Sequence, residues 1–269
     1  MFIDTHCHLT DDKLKERTEE VIKDCLAAGV SLVVDVGCNA ESSYLAEKNA
    51  DKYESVFFAA GVHPSDSDGF DENVLKEVEK LLSHPKCVAV GEIGLDHYWK
   101  PFNAKVQRDC FIAQTELAAR HKLPVSFHVR EAIGEATEII KSFRGRLYGG
   151  VMHCYSGSKE TAKELLDEGM YFSFGGTSTY KNAANIREVI AYLPTDRILT
   201  ETDSPYLAPE GKRGTTNEPK NIPIIAENIA KIKGISVEDF AEAVNKNARE
   251  LFFKIKDYET ARASKTARE

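Results

Sequence analysis

The sequence predicts a single-domain closed (β/α)8 barrel, the TIM barrel. Strand-like and helix-like segments alternate eight times along the 269 residues. This alternation is typical of parallel strands joined by right-handed helical crossovers. Most of the candidate metal ligands stand at the C-terminal ends of the strand-like runs, where this architecture collects its active sites. An open doubly wound sheet is the competitor, but it would show a glycine-rich phosphate turn after its first strand, which this sequence lacks.

The strand-like runs are short and rich in valine, isoleucine and phenylalanine. Parallel strands covered by helices are buried on both faces, so they read as nearly continuous apolar runs. The run from Ser31 to Gly37 shows this most clearly, with one acidic residue among its aliphatic ones. The predicted strands cover residues 2–8, 31–37, 55–62, 87–93, 124–128, 147–153, 170–174 and 197–203.

Between these strands, apolar residues recur with a helical period. In the first helical segment Leu14, Val21 and Ile22 fall on one side, and Gly29 follows as a stop signal. The predicted helices cover residues 11–28, 40–50, 71–82, 103–121, 131–142, 159–168, 183–192, 224–232 and 237–253. Residues 205–223 form the longest irregular stretch, and loops of that length are usually functional. We expect one domain over residues 1–256 and a polar tail over residues 257–269.

The composition argues against a protein with a broad basic surface. The chain has 35 lysines and arginines against 43 acidic residues, a net charge of −8. An enzyme that handles phosphates through a metal and a few local cations stays open. The six scattered cysteines are expected to be reduced thiols. With no signal peptide and no apolar run near ~18 residues, we expect a cytoplasmic protein with no membrane contact and no obligate protein partner.

Side chains that bind metals are expected to meet on the rim formed by the strand ends. His6 and His8 are two residues apart, so they share one face of the first strand. Singly, such residues are often hydrogen-bonded core histidines or carboxylates that cap a helix. Crowded together without a cation, they would leave buried polar groups poorly paired, which is costly. The rim residues are His6, His8, His63, Glu92, His128, Arg130, His153, Glu201 and Asp203.

The mixture of ligand types indicates which metals fit. Imidazole with carboxylate suits zinc, manganese, iron or nickel, whereas magnesium sites are built mainly from oxygen. Four imidazoles and two carboxylates are more than one four-coordinate ion needs. We therefore expect two ions with one bridging carboxylate, about 3.5–4 Å apart, as in many phosphatases and nucleases.

Several sequence blocks resemble the TatD-related deoxyribonucleases, which are metal-dependent hydrolases on a TIM barrel. The blocks span the whole barrel in the right order, and together they are far more specific than the His-x-His pair alone. They are Asp4-Thr5-His6-Cys7-His8-Leu9, Gly61-Val62-His63-Pro64, Gly91-Glu92-Ile93-Gly94-Leu95-Asp96, Leu123-Pro124-Val125, Phe127-His128-Val129-Arg130, His153-Cys154-Tyr155-Ser156-Gly157, Glu201-Thr202-Asp203-Ser204-Pro205-Tyr206-Leu207-Ala208-Pro209, Arg213-Gly214 and Asn217-Glu218-Pro219.

The resemblance implies two divalent ions, with zinc, manganese and magnesium as the candidates. One ion would be held by His6, His8, Glu92 and Asp203. The other would be held by Glu92, His128 and His153, with Glu92 bridging. Asp203 would act as the general base, and His63 would contact the scissile phosphate or give a proton to the leaving group.

Other residues are expected to contact the substrate. Arg130 can offer its guanidinium to a phosphate, and its alternative is a salt bridge to Glu201. Glu201 is expected either to bind substrate or to orient a histidine ligand or a cation. Arg213, flanked in the long loop by other cations, would guide phosphates, and the motif residue Asn217 would bind substrate. The aromatic residues Tyr98, Trp99 and Phe102 either stack bases of a single strand or merely cover the barrel mouth.

The resemblance implies a deoxyribonuclease of the exonuclease type. It would cut phosphodiester bonds in DNA, at single-stranded ends, through a metal-activated water. One alternative is a metal-dependent ester or amide hydrolase, such as an aminoacyl-tRNA deacylase, because the same site would activate water for either electrophile. A second is a metal-loaded scaffold that binds a partner without turnover.

Overall fold

The computed structural model describes residues 1–266 and shows eight parallel strands that follow one another around a barrel. Each strand pairs with its neighbours in chain order, as the alternating pattern predicts. The strands are β1 (Phe2–Cys7), β2 (Val30–Val36), β3 (Val56–Ala60), β4 (Cys87–Asp96), β5 (Val125–Arg130), β6 (Gly150–Met152), β7 (Tyr171–Phe174) and β8 (Ile198–Thr200). The (β/α)8 prediction is confirmed.

A helix follows each of the first seven strands, and three helices follow the last. The α-helices of the described residues are α1 (Thr18–Ala27), α2 (Ala40–Lys52), α3 (Glu72–Leu81), α4 (Ala104–His121), α5 (Ile133–Ser142), α6 (Lys159–Asp167), α7 (Ala184–Tyr192), α8 (Ile222–Lys233), α9 (Val237–Leu251) and α10 (Lys254–Thr266). Among residues 1–266, no helix combines the length and apolar character needed to cross a membrane. All six cysteines are free thiols, as their spacing predicts.

Threonine side chains help to join the last strand to the first. The Thr5 hydroxyl donates to the Thr200 carbonyl at 2.9 Å, and the Thr200 hydroxyl donates to the Ile3 carbonyl at 3.1 Å. Past these contacts, Cys7 and Ser204 form a parallel bridge. The residues just beyond β8 are therefore held against the end of β1, where the two predicted histidine ligands stand.

Alternate residues of the strands pack into two different apolar clusters, as the period-two geometry of a strand requires. In β3, Phe58 belongs to the large cluster beneath the surrounding helices. Its neighbour Phe57 belongs to a second cluster that also contains Leu251 and Phe252. Residues at the end of α9 thus pack with the strands themselves.

The expected boundary between the domain and its polar tail lies within a helix. The expected tail from residue 257 is helical as far as Thr266, and the boundary at 256 falls inside α10. Ile255 is fully buried, the Tyr258 ring lies edge-on to Phe57 at 5.6 Å, and Arg249 pairs with Glu259 at 2.8 Å. These few contacts attach an otherwise polar helix, and a polar sequence with so few apolar residues gives little periodic signal. Residues 267–269 lie outside the described part of the chain.

A buried lysine holds the end of α2 against the barrel. Lys86 is 4% exposed, and its ammonium donates to the carbonyls of Ala50, Tyr53 and Glu54 at 2.6, 2.8 and 3.2 Å. These carbonyls stand at the C-terminal end of α2, where a positive charge is favoured by the helix dipole. The ammonium also lies 5.6 Å from the centre of the Phe57 ring.

We expect Lys86→Met to destabilise the protein by about 2–4 kcal/mol, because charged hydrogen bonds are lost and buried carbonyls are left without a donor. Urea unfolding followed by circular dichroism measures the change. The matched control is Lys80→Met, which removes an exposed lysine paired with Glu77 on α3 and should cost less than about 1 kcal/mol. Equal effects of the two substitutions would contradict the role given to Lys86.

Candidate metal centre

The six predicted metal ligands come together at the C-terminal end of the barrel. His6 is in β1 and His8 follows it, Glu92 is in β4 and His128 is in β5. His153 lies one residue beyond β6, and Asp203 lies three residues beyond β8. The predicted strands 147–153 and 197–203 are therefore longer than β6 and β8, and these two ligands stand in the connections that follow. No single element holds the site.

The backbone beyond β8 is shaped to place Asp203 beside the histidines of β1. Asp203 has a positive φ of 55°, and its amide donates to the His6 carbonyl at 3.0 Å. The preceding residue, Thr202, donates its amide to the buried Asp4 carboxylate at 3.0 Å. Asp4 of β1 therefore anchors the connection that carries Asp203.

Strands β4 and β5 approach closely enough to bring Glu92 and His128 together. Gly94 has a φ of 150°, and a Cβ atom there would lie 1.9 Å from the His128 carbonyl oxygen. Only glycine allows this approach. The close packing of β4 against β5 therefore requires glycine at position 94.

Four side-chain atoms of the first predicted ligand set lie close to the spacing that a metal ion requires. The Nε2 atoms of His6 and His8 are 3.3 Å apart. Glu92 Oε2 lies 3.4 and 3.6 Å from them, and Asp203 Oδ1 lies 3.9 and 3.4 Å from them, respectively. Tetrahedral ligands at ~2.0–2.2 Å from an ion are separated by about 3.3–3.6 Å. The donor types and the spacing both fit a divalent ion such as zinc.

The other oxygen of Glu92 faces the second predicted ligand set. Glu92 Oε1 lies 2.6 Å from His128 Nδ1, 3.5 Å from His153 Nε2 and 3.8 Å from His63 Nε2. The contact with His128 is a direct hydrogen bond, shorter than the separation of two metal ligands, so this set is less regularly spaced than the first. Glu92 is nevertheless placed to give one oxygen to each set.

Each predicted histidine ligand is oriented through its second ring nitrogen. The Nδ1 atom of His8 donates to the Val36 carbonyl at 2.8 Å, and that of His6 lies 3.3 Å from the Ser126 hydroxyl. Such partners fix the ring and select the tautomer that offers its other nitrogen to a metal. Neither Val36 nor Ser126 was singled out from the sequence, because a carbonyl or hydroxyl partner leaves no distinctive residue pattern.

Two carboxylates orient the remaining histidines. His153 Nδ1 lies 3.0 Å from Glu201 Oε2, and His128 Nε2 lies 3.0 Å from Asp96 Oδ2. Glu201, for which two roles were expected, contacts the predicted ligand His153 in this structure. Sequence reasoning missed Asp96, although it lies four residues after Glu92 on one strand and so shares its face.

His63 is placed to donate a hydrogen bond. Its Nδ1 atom accepts the amide hydrogen of Ser65 at 3.1 Å, in the turn that begins at Pro64. A neutral His63 therefore carries its proton on Nε2 and has no lone pair there for a metal. Burial lowers the pKa of His63 to about 4, so the neutral form prevails at pH 7. His63 therefore lies near Glu92, but its Nε2 atom has no lone pair to bind a metal there.

The carboxylates at the centre are ionised and the histidines compensate them. Burial would raise the pKa of Glu92, but the surrounding histidines, His153 first, hold it well below its ordinary value. Burial likewise opposes ionisation of Asp203, yet contact with His8 and the charge of His153 keep its pKa lowered. For His153, the attraction of Glu201 and Glu92 outweighs burial and raises the pKa to about 9.

These shifts predict that metal binding releases protons. In the metal-free protein His153 is protonated below about pH 9, and that proton must leave before Nε2 can bind a metal. Metal affinity should therefore rise about tenfold per pH unit for each displaced proton, and the contribution of His153 to this rise should end above about pH 9. Calorimetric titration of metal-free protein with zinc at pH 7, in two buffers of different ionisation enthalpy, should give at least about one proton released per chain.

The matched variant for this prediction is Glu201→Gln, which keeps an oxygen acceptor for His153 Nδ1 but removes the negative charge. The pKa of His153 should fall, and fewer protons should be released at pH 7. Metal affinity independent of pH from 6 to 9 in the unmodified protein would contradict the prediction.

Two residues predicted to contact substrate, Glu201 and Asn217, are enclosed by the protein around them. The side chains of Glu201 and Asn217 are both fully buried. Glu201 contacts His153 and the Ser173 hydroxyl, so it is shielded by residues around it. Asn217 donates its amide to the carbonyls of Thr202 and Tyr206 at 2.9 and 2.7 Å, which holds the connection around Asp203 in shape. The sequence alone does not distinguish a polar motif residue that contacts a ligand from one that contacts the backbone.

The two predicted arginine contacts are exposed. Arg130 ends β5, and its guanidinium lies 3.7 Å from the centre of the Tyr98 ring. The alternative salt bridge of Arg130 to Glu201 is not formed in the described residues, because Glu201 is enclosed by His153 and Ser173. Arg213 lies 4.5 Å from the centre of the Tyr180 ring and 4.0 Å from Glu210.

This chain is similar to known proteins in both sequence and fold. The family model described as TatD related DNase matches residues 3–253. YabD of Bacillus subtilis, named an uncharacterized metal-dependent hydrolase, is 37% identical over 94% of this chain and 99% of its own. A Citrobacter koseri protein named 3'-5' ssDNA/RNA exonuclease TatD is 30% identical over 93% of this chain and 98% of its own.

A solved structure carries the same fold. The crystal structure of YJJV, a TatD homolog from Escherichia coli K12, superposes with a TM-score of 0.89 at 30% identity, covering 93% of this chain and 97% of the other. Similarity of this extent covers the whole barrel together with the strand ends that carry the candidate ligands. The chain therefore belongs to the TatD family of metal-dependent hydrolases.

Proposed function

We propose that this protein is a deoxyribonuclease that shortens single-stranded DNA ends with two bound divalent ions. The observation that carries the proposal is the placement of Glu92, whose two oxygens face two separate sets of metal-binding atoms. Paired ions of this kind serve nucleases and phosphatases. The name of the Citrobacter koseri relative supports a single-stranded nucleic acid as substrate.

The ligands would be divided as the spacing of their atoms suggests. His6, His8, Glu92 and Asp203 would hold one ion, and Glu92, His128 and His153 would hold the other. Zinc and manganese match this mixture of imidazole and carboxylate, and magnesium is the remaining candidate. When bound, the ions would lower the pKa of a water molecule and polarise the phosphate.

Asp203 is the residue we assign as general base. Its carboxylate is ionised at neutral pH, because its pKa is held below the ordinary value. Its side chain is 14% exposed whereas that of Glu92 is 3% exposed, so water reaches Asp203 more readily. A proton leaving the attacking water would move to an Asp203 carboxylate oxygen.

His63 and the two arginines would hold the substrate. The Nε2–H group of His63 can donate to a phosphate oxygen and stabilise charge that develops there. Arg130 and Arg213 are exposed and can each donate to a phosphate of the strand. Local cations of this kind suffice to bind a strand end despite a net charge of −8. The six free thiols suit a reducing compartment, and we propose a cytoplasmic location.

The test is hydrolysis of an end-labelled single-stranded oligonucleotide by protein stripped of metal and then supplied with zinc, manganese or magnesium. Shortening that depends on metal, followed on a gel with the label at either end, would support the proposal and show its polarity. A protein that binds metal but leaves every oligonucleotide intact would overturn it. Hydrolysis of an aminoacyl ester under the same conditions would then favour the ester hydrolase.

A further inference from the structure

Two exposed aromatic rings stand beside the metal centre on the connection after β4. Trp99 is 61% exposed and Tyr98 is 44% exposed. Their rings meet edge to face with centres 4.9 Å apart. The Arg130 guanidinium lies 3.7 Å from the Tyr98 ring centre and 5.4 Å from that of Trp99. A lid that merely closed the barrel would bury its rings, so this exposure favours contact with a ligand.

The connection that carries the rings is held rigidly. Gln107 of α4 makes two hydrogen bonds with the backbone of Asp96. Its side-chain oxygen accepts from the Asp96 amide at 3.0 Å, and its side-chain NH2 group donates to the Asp96 carbonyl at 3.0 Å. The rings of His97 and Phe102 stack with centres 4.6 Å apart and 6° between planes. The exposed pair is therefore presented in a fixed position.

One carboxylate joins this connection to the metal centre. Asp96 Oδ1 accepts the backbone amides of Tyr98 and Trp99 at 2.9 and 3.2 Å. Asp96 Oδ2 lies 3.0 Å from Nε2 of the candidate ligand His128. Asp96 and Trp99 also line one small cleft with Pro64 and Ser65, the turn that follows His63. Asp96 therefore contacts both the backbone of the aromatic pair and the candidate ligand His128.

We infer that Tyr98, Trp99 and Arg130 form a stacking platform for the bases of a single nucleic-acid strand, and that Asp96 fixes this platform relative to His128. The inference rests on the proposed function and specifies how the strand is held. Unpaired bases offer flat π-faces to aromatic rings, and arginine adds a cation–π contribution and a positive charge. Every base has such a face, so the platform would bind strands with little sequence preference.

The chain supplies its own probe, because Trp99 is its only tryptophan. Tryptophan fluorescence therefore reports this ring alone. The metal-loaded protein is titrated with a phosphorothioate-linked thymidine strand and with an abasic strand of equal length, and gels verify that both stay intact. We expect the thymidine strand to quench the emission and the abasic strand to leave it nearly unchanged. Equal responses to the two strands, at concentrations where fluorescence anisotropy shows both bound, would overturn the platform.

Substitutions give a second readout. Trp99→Ala should weaken binding of the thymidine strand by about 5- to 150-fold, as measured by anisotropy of a labelled strand, and should bring its affinity close to that of the abasic strand. The control is Tyr148→Ala, which removes a different exposed aromatic ring, located before the start of β6. A control variant that weakens binding as much as Trp99→Ala would overturn the assignment.

Asp96 is a positioning residue in this account, and two variants separate its contacts. Asp96→Asn keeps an oxygen for the amides of Tyr98 and Trp99 but presents an NH2 group to His128. We expect base-dependent quenching to survive, with kcat for the oligonucleotide lowered by about 10- to 100-fold. Asp96→Ala should abolish base-dependent quenching and should also lower kcat. Survival of base-dependent quenching in Asp96→Ala would overturn the role given to Asp96.

The outcomes distinguish this inference from the proposed function. If the protein shortens strands but shows no base-dependent quenching, the nuclease proposal stands and the platform is contradicted. Base-dependent quenching in a protein that shortens no strand keeps the platform and overturns the nuclease.

Discussion

Glu92→Gln should reduce oligonucleotide hydrolysis by about 10³-fold or more. The glutamine has nearly the same shape, but it offers one oxygen where Glu92 offers two, and its NH2 group cannot bind a metal. Loss of one ion removes several kcal/mol of stabilisation of the transition state, and each ~1.4 kcal/mol corresponds to tenfold in rate. Single-turnover hydrolysis of an end-labelled strand at saturating metal measures the effect.

The control for Glu92 is Glu116→Gln, the same chemical change at an exposed glutamate of α4 that pairs with Arg146. It should hydrolyse DNA at the unmodified rate. Circular dichroism and thermal melting verify that the Glu92 variant is folded. A folded, metal-loaded Glu92→Gln protein within tenfold of the unmodified activity would show that the carboxylate does not serve two ions.

Asp203→Asn should lower kcat by about 10²- to 10⁴-fold while KM changes little. An asparagine keeps an oxygen that can face the histidines, but it cannot take a proton from water. Because the pKa of Asp203 lies below its ordinary value, the unmodified base is ionised throughout the neutral range. Steady-state kinetics at pH 7 with a labelled single strand separates kcat from KM.

The matched control for Asp203 is Asp196→Asn, an exposed aspartate that precedes β8 and pairs with Arg197 at 3.8 Å. It stands before the same strand that Asp203 follows. We expect its kinetics to be unchanged. An Asp203 variant that raised KM but kept kcat would assign Asp203 to substrate binding and contradict its role as base.

Much of the barrel was predictable because its pattern is local. Apolar runs and helical periodicity reveal strands and helices without knowledge of long-range contacts, and eight such units leave few possible architectures. The candidate ligands were predictable for the same reason, since a barrel places the ends of all its strands on one rim. Residues as distant as His6 and Asp203 could be brought together by this topology alone.

What the sequence left undecided depends on contacts between distant residues. Glu201 and Asp203 differ by two positions and were expected to share one face of a strand, yet Glu201 is enclosed behind His153 and Asp203 faces the centre. Asn217 was expected to bind substrate because of its motif, but its side-chain amide donates hydrogen bonds to two backbone carbonyls. The helix α10 was missed because few apolar residues attach it.

The number of metal ions bound per chain distinguishes a two-ion centre from a centre with a single ion. Protein loaded with manganese and freed of excess ions is analysed by mass spectrometry of its metal content, beside the Glu92→Gln variant. We expect two ions per chain in the unmodified protein and fewer in the variant. One ion per chain in both would contradict a centre in which Glu92 serves two metals.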